Sequence, residues 1–202
     1  MPGSVRSAWA TDLPAVARIH KSQFSDHLLG KYSIELLARF YKEFLGRTLF
    51  LVHETSPRID GFLVGGDDGS LACAKAAFVR VNRARCIGET LLRPKVWLTT
   101  VVRGSDLLVS YRHKGQLKSG TPITSDVRLL SIAVAAEAVG TGAATELVQA
   151  FERTLKGTTE SYGLSVKRDN HRAVAFYHKL GFELESESGE SLYLRRSLKR
   201  VR

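Results

Sequence analysis

The fold is decided by residues 127–155, which read VRLLSIAVAAEAVGTGAATELVQAFERTL. The first eight residues form a nearly continuous apolar run, which is typical of a central strand covered on both faces. A glycine-containing turn, VGTGAAT, follows this run. Beyond the turn, apolar residues recur at helical spacing up to a stop near Gly157; they are Ala144, Leu147, Val148, Phe151 and Leu155. This stretch therefore predicts a strand, a tight turn and a helix.

The flanking sequence extends this unit to an α/β plan with a mixed sheet. Thr11 or Asp12 is the candidate cap of the first helix, and Ser33 is the candidate cap of the second. We expect residues 1–202 to form one domain. The predicted elements are, in order, a strand at 4–9, helices at 11–24 and 33–45, a strand hairpin at 48–55 and 59–66, an insertion, the strand and helix of residues 127–155, a strand at 162–168, a helix at 169–181, and strands at 182–186 and 191–196.

Residues 70–120 predict a basic, mainly helical insertion between the third and fourth strands. Ten lysines and arginines lie between Lys75 and Lys118, against two acidic residues. A second helix of the insertion is expected to begin at Pro94. The first helix is expected to bury one face, formed by Leu71, Ala74, Phe78 and Val81.

Composition bounds the class of protein. The formal net charge of +10 favours anionic partners but does not choose between nucleic acid, a membrane surface and a phosphorylated ligand. Cys73 and Cys86 form no disulfide framework, the amino terminus lacks the apolar core of a signal peptide, and no apolar run is long enough to span a bilayer. We therefore expect a cytoplasmic protein with no membrane partner. The six histidines show no metal-ligand spacing, so we expect no metal.

The turn VGTGAAT has four possible interpretations. A Walker loop needs a lysine that the turn lacks. A dinucleotide fingerprint fits Gly140 and Gly142, but Thr145 stands where a third small residue belongs. A coenzyme A pyrophosphate could instead lie on the free N–H groups at the start of the helix. The turn could also be only a tight connection between a strand and a helix.

Two sequence blocks together resemble the GNAT (GCN5-related N-acetyltransferase) superfamily. Val139, Gly142 and Ala144 occupy its loop pattern Arg/Gln-x-x-Gly-x-Gly/Ala, with valine in place of the leading polar residue. A second pattern, Asn-x-x-Ala-x-x-(Phe/Leu)-Tyr-x-x-x-Gly-Phe, is filled completely by Asn170, Ala173, Phe176, Tyr177, Gly181 and Phe182. The motifs cover residues 127–182, and the elements of residues 11–66 also follow the family order. Residues 70–120 depart from the family, in which this connection is usually short.

The resemblance implies an acyl-CoA N-acyltransferase fold that binds acetyl-CoA. Asn170, Ala173 and Tyr177 share one helix face, where the small Ala173 leaves room for the pantetheine arm. Asn170 could hydrogen-bond that arm or fix the preceding loop, or it could be only a helix cap. The residues expected to bind the cofactor are Ile132, Ala133, Val134, Val139, Gly140, Thr141, Gly142, Ala143, Ala144, Thr145, Asn170, Ala173 and Phe176.

The chemistry that the resemblance implies is attack of a neutral amine on the acetyl thioester. Backbone N–H groups around Ala133 and Val134 would stabilise the carbonyl oxygen, and the Tyr177 hydroxyl would protonate the leaving thiolate. The alternative is that Tyr177 is only a core aromatic residue whose hydroxyl has a partner in the protein. Ser165 stands where some relatives have a glutamate and cannot act as a base. The general base therefore stays open; the candidates are Asp126, Glu35, His20, His113 and a water chain.

The expected acceptor is a primary amine of a small molecule, such as a nucleotide-linked amino sugar. A protein N-terminus or lysine is an alternative, and so is a regulatory protein that binds acyl-CoA without catalysis. A nucleic-acid-binding module is disfavoured because the basic insertion offers only three widely spaced aromatic residues, Phe78, Trp97 and Tyr111. The insertion could grip the acceptor, or it could pack on the sheet or form a homodimer contact.

Overall fold

The computed structural model describes residues 3–25, 27–91 and 127–198, and these residues follow the predicted order of elements. The strands are β1 (Ser4–Ser7), β2 (Leu49–Thr55), β3 (Arg58–Asp67), β4 (Val127–Val134), β5 (Ser161–Lys167), β6 (Glu183–Ser188) and β7 (Ser191–Ser197). The helices are α1 (Leu13–Gln23), α2 (Ile34–Lys42), α3 (Asp68–Leu91), α4 (Ala143–Leu155) and α5 (His171–Lys179). Short 3-10 turns span Ala10–Asp12, Leu29–Lys31 and Ala136–Ala138.

All seven described strands form one mixed sheet in the order β1-β2-β3-β4-β5-β7-β6. Every neighbouring pair is antiparallel except β4 and β5, which are parallel and are connected through α4. The expectation of an α/β fold with a mixed sheet is confirmed. The prediction that residues 1–202 form a single domain stays a prediction.

Two apolar clusters cover the sheet. The first joins α1, α2 and α3 to β2 and β3 and is rich in phenylalanine, including Phe40, Phe44 and Phe62. The second joins α4 and α5 to β5 and β7. Strand β4 contributes to both clusters, because Ala133 is buried in the first and Leu129 in the second. This confirms the expectation that the VRLLSIAV run is a central strand.

The start of α2 follows the sequence prediction, whereas the start of α1 differs. Ser33 caps α2, and its side chain accepts a hydrogen bond of 3.2 Å from the Leu36 N–H. Asp12 stands at the N-cap of α1 but caps no N–H of that helix. Its carboxylate accepts hydrogen bonds from the Arg6 guanidinium and the Trp9 N–H instead, so Asp12 ties α1 to β1.

The first part of the predicted insertion is helical, but its buried face was assigned incorrectly at one position. Leu71, Ala74 and Phe78 are buried, whereas Val81 is 66 % exposed. Asn82 takes the fourth inward position and donates a hydrogen bond from its side chain to the Phe78 carbonyl oxygen. On a helix of 3.6 residues per turn, position 82 and not 81 returns to the direction of residue 71. The helix predicted from Pro94 lies outside the described residues.

The end of α3 contacts the start of α2. The Glu89 carboxylate accepts hydrogen bonds from the Ser33 N–H (2.8 Å) and the Ser33 hydroxyl. Arg85 on α3 forms an ion pair with Glu35 on α2. These contacts fix the direction in which the chain leaves the layer of α1, α2 and α3. No helix in the described part of the chain is long and apolar enough to cross a membrane.

Candidate active site

The sheet opens between β4 and β5. Strand β4 is paired with β3 along its length, but its only paired position with β5 in the described sheet is Arg128 with Gly163. This pair lies near the amino end of both strands, so the strands separate toward their carboxyl ends. Ser165 on β5 is exposed, and Ser131 and Ile132 on β4 are only half-buried, although both strands are central. The separation therefore creates a cleft at the point where β4 leads into the glycine turn.

Ile132, Ala133 and Val134 are the three residues of β4 expected near the thioester. The direction of each N–H decides whether it can donate to a ligand in the cleft. The Ala135 N–H donates a hydrogen bond of 2.7 Å to the Asp60 carbonyl oxygen on β3. Successive N–H groups of a strand point to opposite sides. The Ala133 N–H therefore also points to β3, whereas the N–H groups of Ile132 and Val134 point into the cleft. This geometry makes Ile132 and Val134 the available donors and removes Ala133 from that role.

Two glycines shape the turn after β4. Gly140 and Gly142 have φ values of +84° and +99°, a region that side chains other than glycine rarely adopt. A Cβ at Gly140 would meet nothing within 4 Å, and one at Gly142 would approach only a Glu146 carboxylate oxygen, at 3.9 Å. Val139, at the position where the family has Arg or Gln, is 37 % exposed. The glycines thus serve the backbone path of the turn and leave its surface accessible.

The turn ends at the uncapped start of α4. Gly142 is the N-cap, and in the described part of the chain no side chain accepts from the first N–H groups of this helix. The Glu146 N–H is the first to bond back, to the Gly142 carbonyl oxygen at 3.0 Å. The N–H groups of Ala143, Ala144 and Thr145 therefore lack intrahelical partners, and the helix dipole makes this end positive. Such a start suits a phosphate group.

Helix α5 carries the asparagine, alanine and tyrosine of the second motif. Asn170 is the N-cap, and its Oδ1 accepts a hydrogen bond of 3.1 Å from the Ala173 N–H. The alternative of a helix cap is therefore correct for Asn170, while a contact between its side chain and pantetheine stays a prediction. Ala173 is half-buried.

Tyr177 is 7 % exposed and packs in the second apolar cluster, with its ring centroid 5.3 Å from that of Phe182. Burial raises the pKa of the Tyr177 hydroxyl to about 12. The phenol therefore keeps its proton at neutral pH, which is the form that a general acid requires.

One protein-family model matches part of the chain. Residues 110–182 match the model of the acetyltransferase (GNAT) family, and the described part of this range runs from β4 to the end of α5. This segment, which covers less than half of the chain, is similar to the GNAT family. No curated protein matches the sequence.

Solved GNAT structures share the fold over nearly the whole chain. Ard1 from Thermoplasma volcanium is 18 % identical, with a TM-score of 0.58 over 98 % of both chains. The PaiA N-acetyltransferase of Thermoplasma acidophilum, in complex with coenzyme A, is 15 % identical, with a TM-score of 0.58 over 98 % of this chain and 99 % of that chain. The ribosomal-protein-S18-alanine N-acetyltransferase from Escherichia coli is 14 % identical, with a TM-score of 0.55 over 99 % and 96 %. At these identities the similarity shows a shared fold.

Neither Glu35 nor His20, the two base candidates among the described residues, is suited to act as a general base. Glu35 is exposed, and hydrogen bonds from Arg39 and Arg85 lower the pKa of its carboxyl group. Burial, with a smaller contribution from His27, lowers the pKa of His20 to about 4. Asp126 and His113 lie outside the described residues.

His20 nevertheless connects to β4 through a buried tyrosine. The His20 Nδ1 lies 2.6 Å from the Tyr41 hydroxyl, which lies 3.4 Å from the Ser131 hydroxyl. Burial raises the pKa of the fully buried Tyr41. Neither ring is therefore suited to take a proton from an amine at neutral pH, and we interpret this chain of contacts as a structural link between α1, α2 and β4.

The sequence motifs do not identify His53 and Glu146, which contact each other near the glycine turn. His53 on β2 is buried, and its Nε2 lies 3.3 Å from the Glu146 carboxylate in the first turn of α4. The opposite ring nitrogen, Nδ1, lies 3.5 Å from the Asp60 carboxylate. A histidine within the apolar run FLVHE was a visible signal of a buried polar residue, but the sequence does not show its partners.

A cavity of about 450 Å³ adjoins the end of β4 on the side of α1. Ala135 and Glu137 line it from the loop after β4, and Arg18 and Arg58 line it from α1 and β3. Its lining therefore carries charges of both signs. A volume of this size is in the range of small-molecule sites.

Proposed function

We propose that this chain is an N-acetyltransferase that moves an acetyl group from acetyl-CoA to a primary amine. The observation that carries the proposal is the cleft between β4 and β5, which ends at the uncapped start of α4. A continuous sheet would pair these strands fully, and an ordinary helix start would carry a cap. Both features leave backbone donors free for a ligand with amide and phosphate groups.

The residues at the cleft fit acetyl-CoA. Gly140 and Gly142 let a pyrophosphate approach the backbone, and the N–H groups of Ala143, Ala144 and Thr145 would hold it. The N–H groups of Ile132 and Val134 would bind the pantetheine arm and orient the acetyl carbonyl oxygen. Val139, Thr141, Ala173 and Phe176 complete the proposed cofactor-binding set. When bound, acetyl-CoA supplies an activated acyl thioester.

Tyr177 is the proposed catalytic residue, as the donor of a proton to the leaving sulfur. Its raised pKa keeps the hydroxyl protonated, and general acid catalysis typically contributes about 10²–10⁴ in rate. The remaining base candidates are Asp126, His113 and a water chain. Ser165 is exposed on β5, where it could hold such a water.

The proposed acceptor is a small polar amine, with a nucleotide-linked amino sugar as one case. The cavity beside Ala135 supports a polar acceptor because arginines and acidic side chains both line it. We further propose that the chain acts in the cytoplasm, which the absence of a disulfide between its two cysteines supports, and that it folds as one domain. A homodimer contact through the insertion stays a proposal.

The test measures thiol release from acetyl-CoA in the presence of amino sugars, polyamines, peptides with free N-termini and a nucleotide-linked amino sugar. We expect one acceptor class to stimulate thiol release well above hydrolysis. Thermal unfolding with acetyl-CoA is measured alongside. A rise in melting temperature without turnover of any amine would favour a regulatory acyl-CoA-binding protein. Neither stabilisation nor turnover would contradict the proposal.

A further inference from the structure

We propose that His53 is a positioning residue, which holds the Glu146 carboxylate at the edge of the phosphate-binding amides of α4. This inference rests on the proposed function, because it concerns the same cofactor site. It adds a residue on β2 and an acidic group on α4 that the two GNAT motifs do not include.

The Glu146 carboxylate lies between the glycine turn and His53. One oxygen, Oε1, is 3.9 Å from the place that a Cβ on Gly142 would take. The other oxygen, Oε2, is 3.3 Å from the Nε2 of His53. The Glu146 side chain keeps 48 % of its surface exposed, so it has room to turn toward the glycines. A negative charge therefore stands beside the site proposed for pyrophosphate.

This position is unfavourable for an anionic ligand unless the Glu146 carboxylate is held away from the free N–H groups of α4. A carboxylate in the first turn of a helix is attracted to the same free N–H groups that bind phosphate. An unrestrained Glu146 would thus compete with the ligand for the amides of Ala143 and Ala144. It would also repel the phosphates over the few ångström that separate them.

His53 is a firm anchor because three neighbours restrict its ring. It is 5 % exposed, and a Cβ on Gly3 would overlap the ring. Asp60 faces its Nδ1 at 3.5 Å. Asp60 itself is held by hydrogen bonds from Thr55 and from the Arg58 guanidinium. His53 Nδ1 makes no hydrogen bond within the described residues, so the Nε2 side of the ring, at 3.3 Å from Glu146, is the one that holds the carboxylate.

The same pair of strands holds both ends of the loop between β4 and α4. At its beginning, the Ala135 N–H donates to the carbonyl oxygen of Asp60 at 2.7 Å. At its end, Glu146 contacts His53. Residues 53 and 60 face each other closely on the β2–β3 hairpin. The β2–β3 hairpin therefore contacts the chain on both sides of the glycine turn and helps to fix the position of the turn.

The test is a double-mutant cycle read out by acetyl-CoA binding in calorimetry, with no amine present. His53→Gln is expected to weaken binding by about five- to tenfold, the scale of one unrestrained charge a few ångström from a phosphate near the surface. Glu146→Gln is expected to tighten binding by about threefold or more. In the double variant, binding should match that of Glu146→Gln alone. Thermal unfolding of each protein checks that it is folded.

Glu137→Gln is the matched control, because Glu137 is an exposed acidic residue in the loop before α4, and its carboxylate forms no ion pair with His53. It should not restore binding in the His53→Gln protein. If His53→Gln weakens binding equally with and without Glu146, His53 is only a packing residue and the inference is wrong. If His53→Gln does not fold, Glu146→Gln alone decides, and unchanged or weaker binding contradicts the inference. If the wild-type chain binds no acetyl-CoA, the proposed function itself fails.

Discussion

Helices α2 and α4 begin in opposite ways. At the start of α2, the Ser33 side chain accepts from the Leu36 N–H, and the Glu89 carboxylate accepts from the Ser33 N–H. At the start of α4, Gly142 offers no side chain, and none caps the helix within the described residues. The first start is closed by the chain itself, whereas the second leaves its positive end for another molecule.

The contrast shows that backbone N–H groups without a partner occur at one particular helix start and not throughout the fold. A glycine N-cap is less stable than a serine N-cap by only a few tenths of a kcal/mol, so the uncapped start of α4 costs the fold little. The same difference separates the two edges of β4. Its N–H groups toward β3 are paired, and those of Ile132 and Val134 face the cleft. Open donors are thus concentrated along one line, from β4 to α4.

The largest expected effect comes from a substitution that perturbs the uncapped start of α4. We expect Gly142→Val to weaken acetyl-CoA binding by roughly a hundredfold, because losing one or two hydrogen bonds to a charged group costs about 1.5–3 kcal/mol each. Calorimetry measures the loss. Gly157→Val is the control, since Gly157 has a similar φ of +85° and open space around it. Equal loss of binding in both variants would show a general effect of backbone strain.

The next effect compares two buried tyrosines. Tyr162 donates a hydrogen bond to Glu152, while burial alone raises the pKa of Tyr177. We expect Tyr177→Phe to lower kcat by tenfold or more while acetyl-CoA binding is kept. Tyr162→Phe should lower stability and leave kcat nearly unchanged. An unchanged kcat in Tyr177→Phe, with chemistry shown to limit the rate, would remove Tyr177 from the mechanism.

Apolar spacing and cap residues predict the helices and strands well, because helix and strand formation depends largely on residues that are close in sequence. The spacing of apolar residues located every described helix and strand in order, and Ser33 was recognised as a cap. The apolar spacing predicts Val81 on the buried face of α3, whereas helical geometry turns Asn82 inward and leaves Val81 exposed. Local reasoning fails where a polar residue occupies an inward position.

The site could be predicted only in part, because its decisive features join distant segments. The motifs located the glycine turn and α5. They could not show that Ala133 points its N–H to β3, because this follows from the hydrogen bond between Ala135 and Asp60. They also could not show the contact of His53 with Glu146, which joins residues 93 positions apart. Pairing across the sheet carries information that no local window of sequence contains.

Two buried histidines extend the comparison to pH. His53 faces two carboxylates, whereas the Nδ1 of His20 contacts the Tyr41 hydroxyl and its Nε2 is without a partner in the described structure. The pKa of folded His20, about 4, lies below the ordinary 6.5, so the unfolded chain takes up this proton first as the pH falls. Stability from this group is therefore present above pH 6.5 and is lost toward pH 4. We expect a loss of about 1 kcal/mol between pH 7 and pH 5.5.

Urea unfolding of the wild type and of His20→Gln at the two pH values measures this loss. The wild type should lose about 1 kcal/mol more than the variant over this interval. Because the other five histidines are common to both proteins, the difference isolates His20. Equal pH dependence in the two proteins would mean that His20 titrates normally in the folded chain.

The smallest expected effect comes from removing the side-chain cap at the start of α2. Ser33→Ala removes the cap acceptor of Leu36 and the hydroxyl that donates to Glu89, but the Glu89 carboxylate still accepts from the N–H of residue 33. The loss of stability should therefore lie within the usual range for N-caps, about 0.5–1 kcal/mol, and urea unfolding measures it. Acetyl-CoA binding should stay unchanged, because the start of α2 is capped by residues of the protein itself and is not part of the proposed cofactor site. A clear loss of binding in Ser33→Ala would mean that the two helix starts are coupled, and the division between a structural start and a ligand-binding start would be wrong.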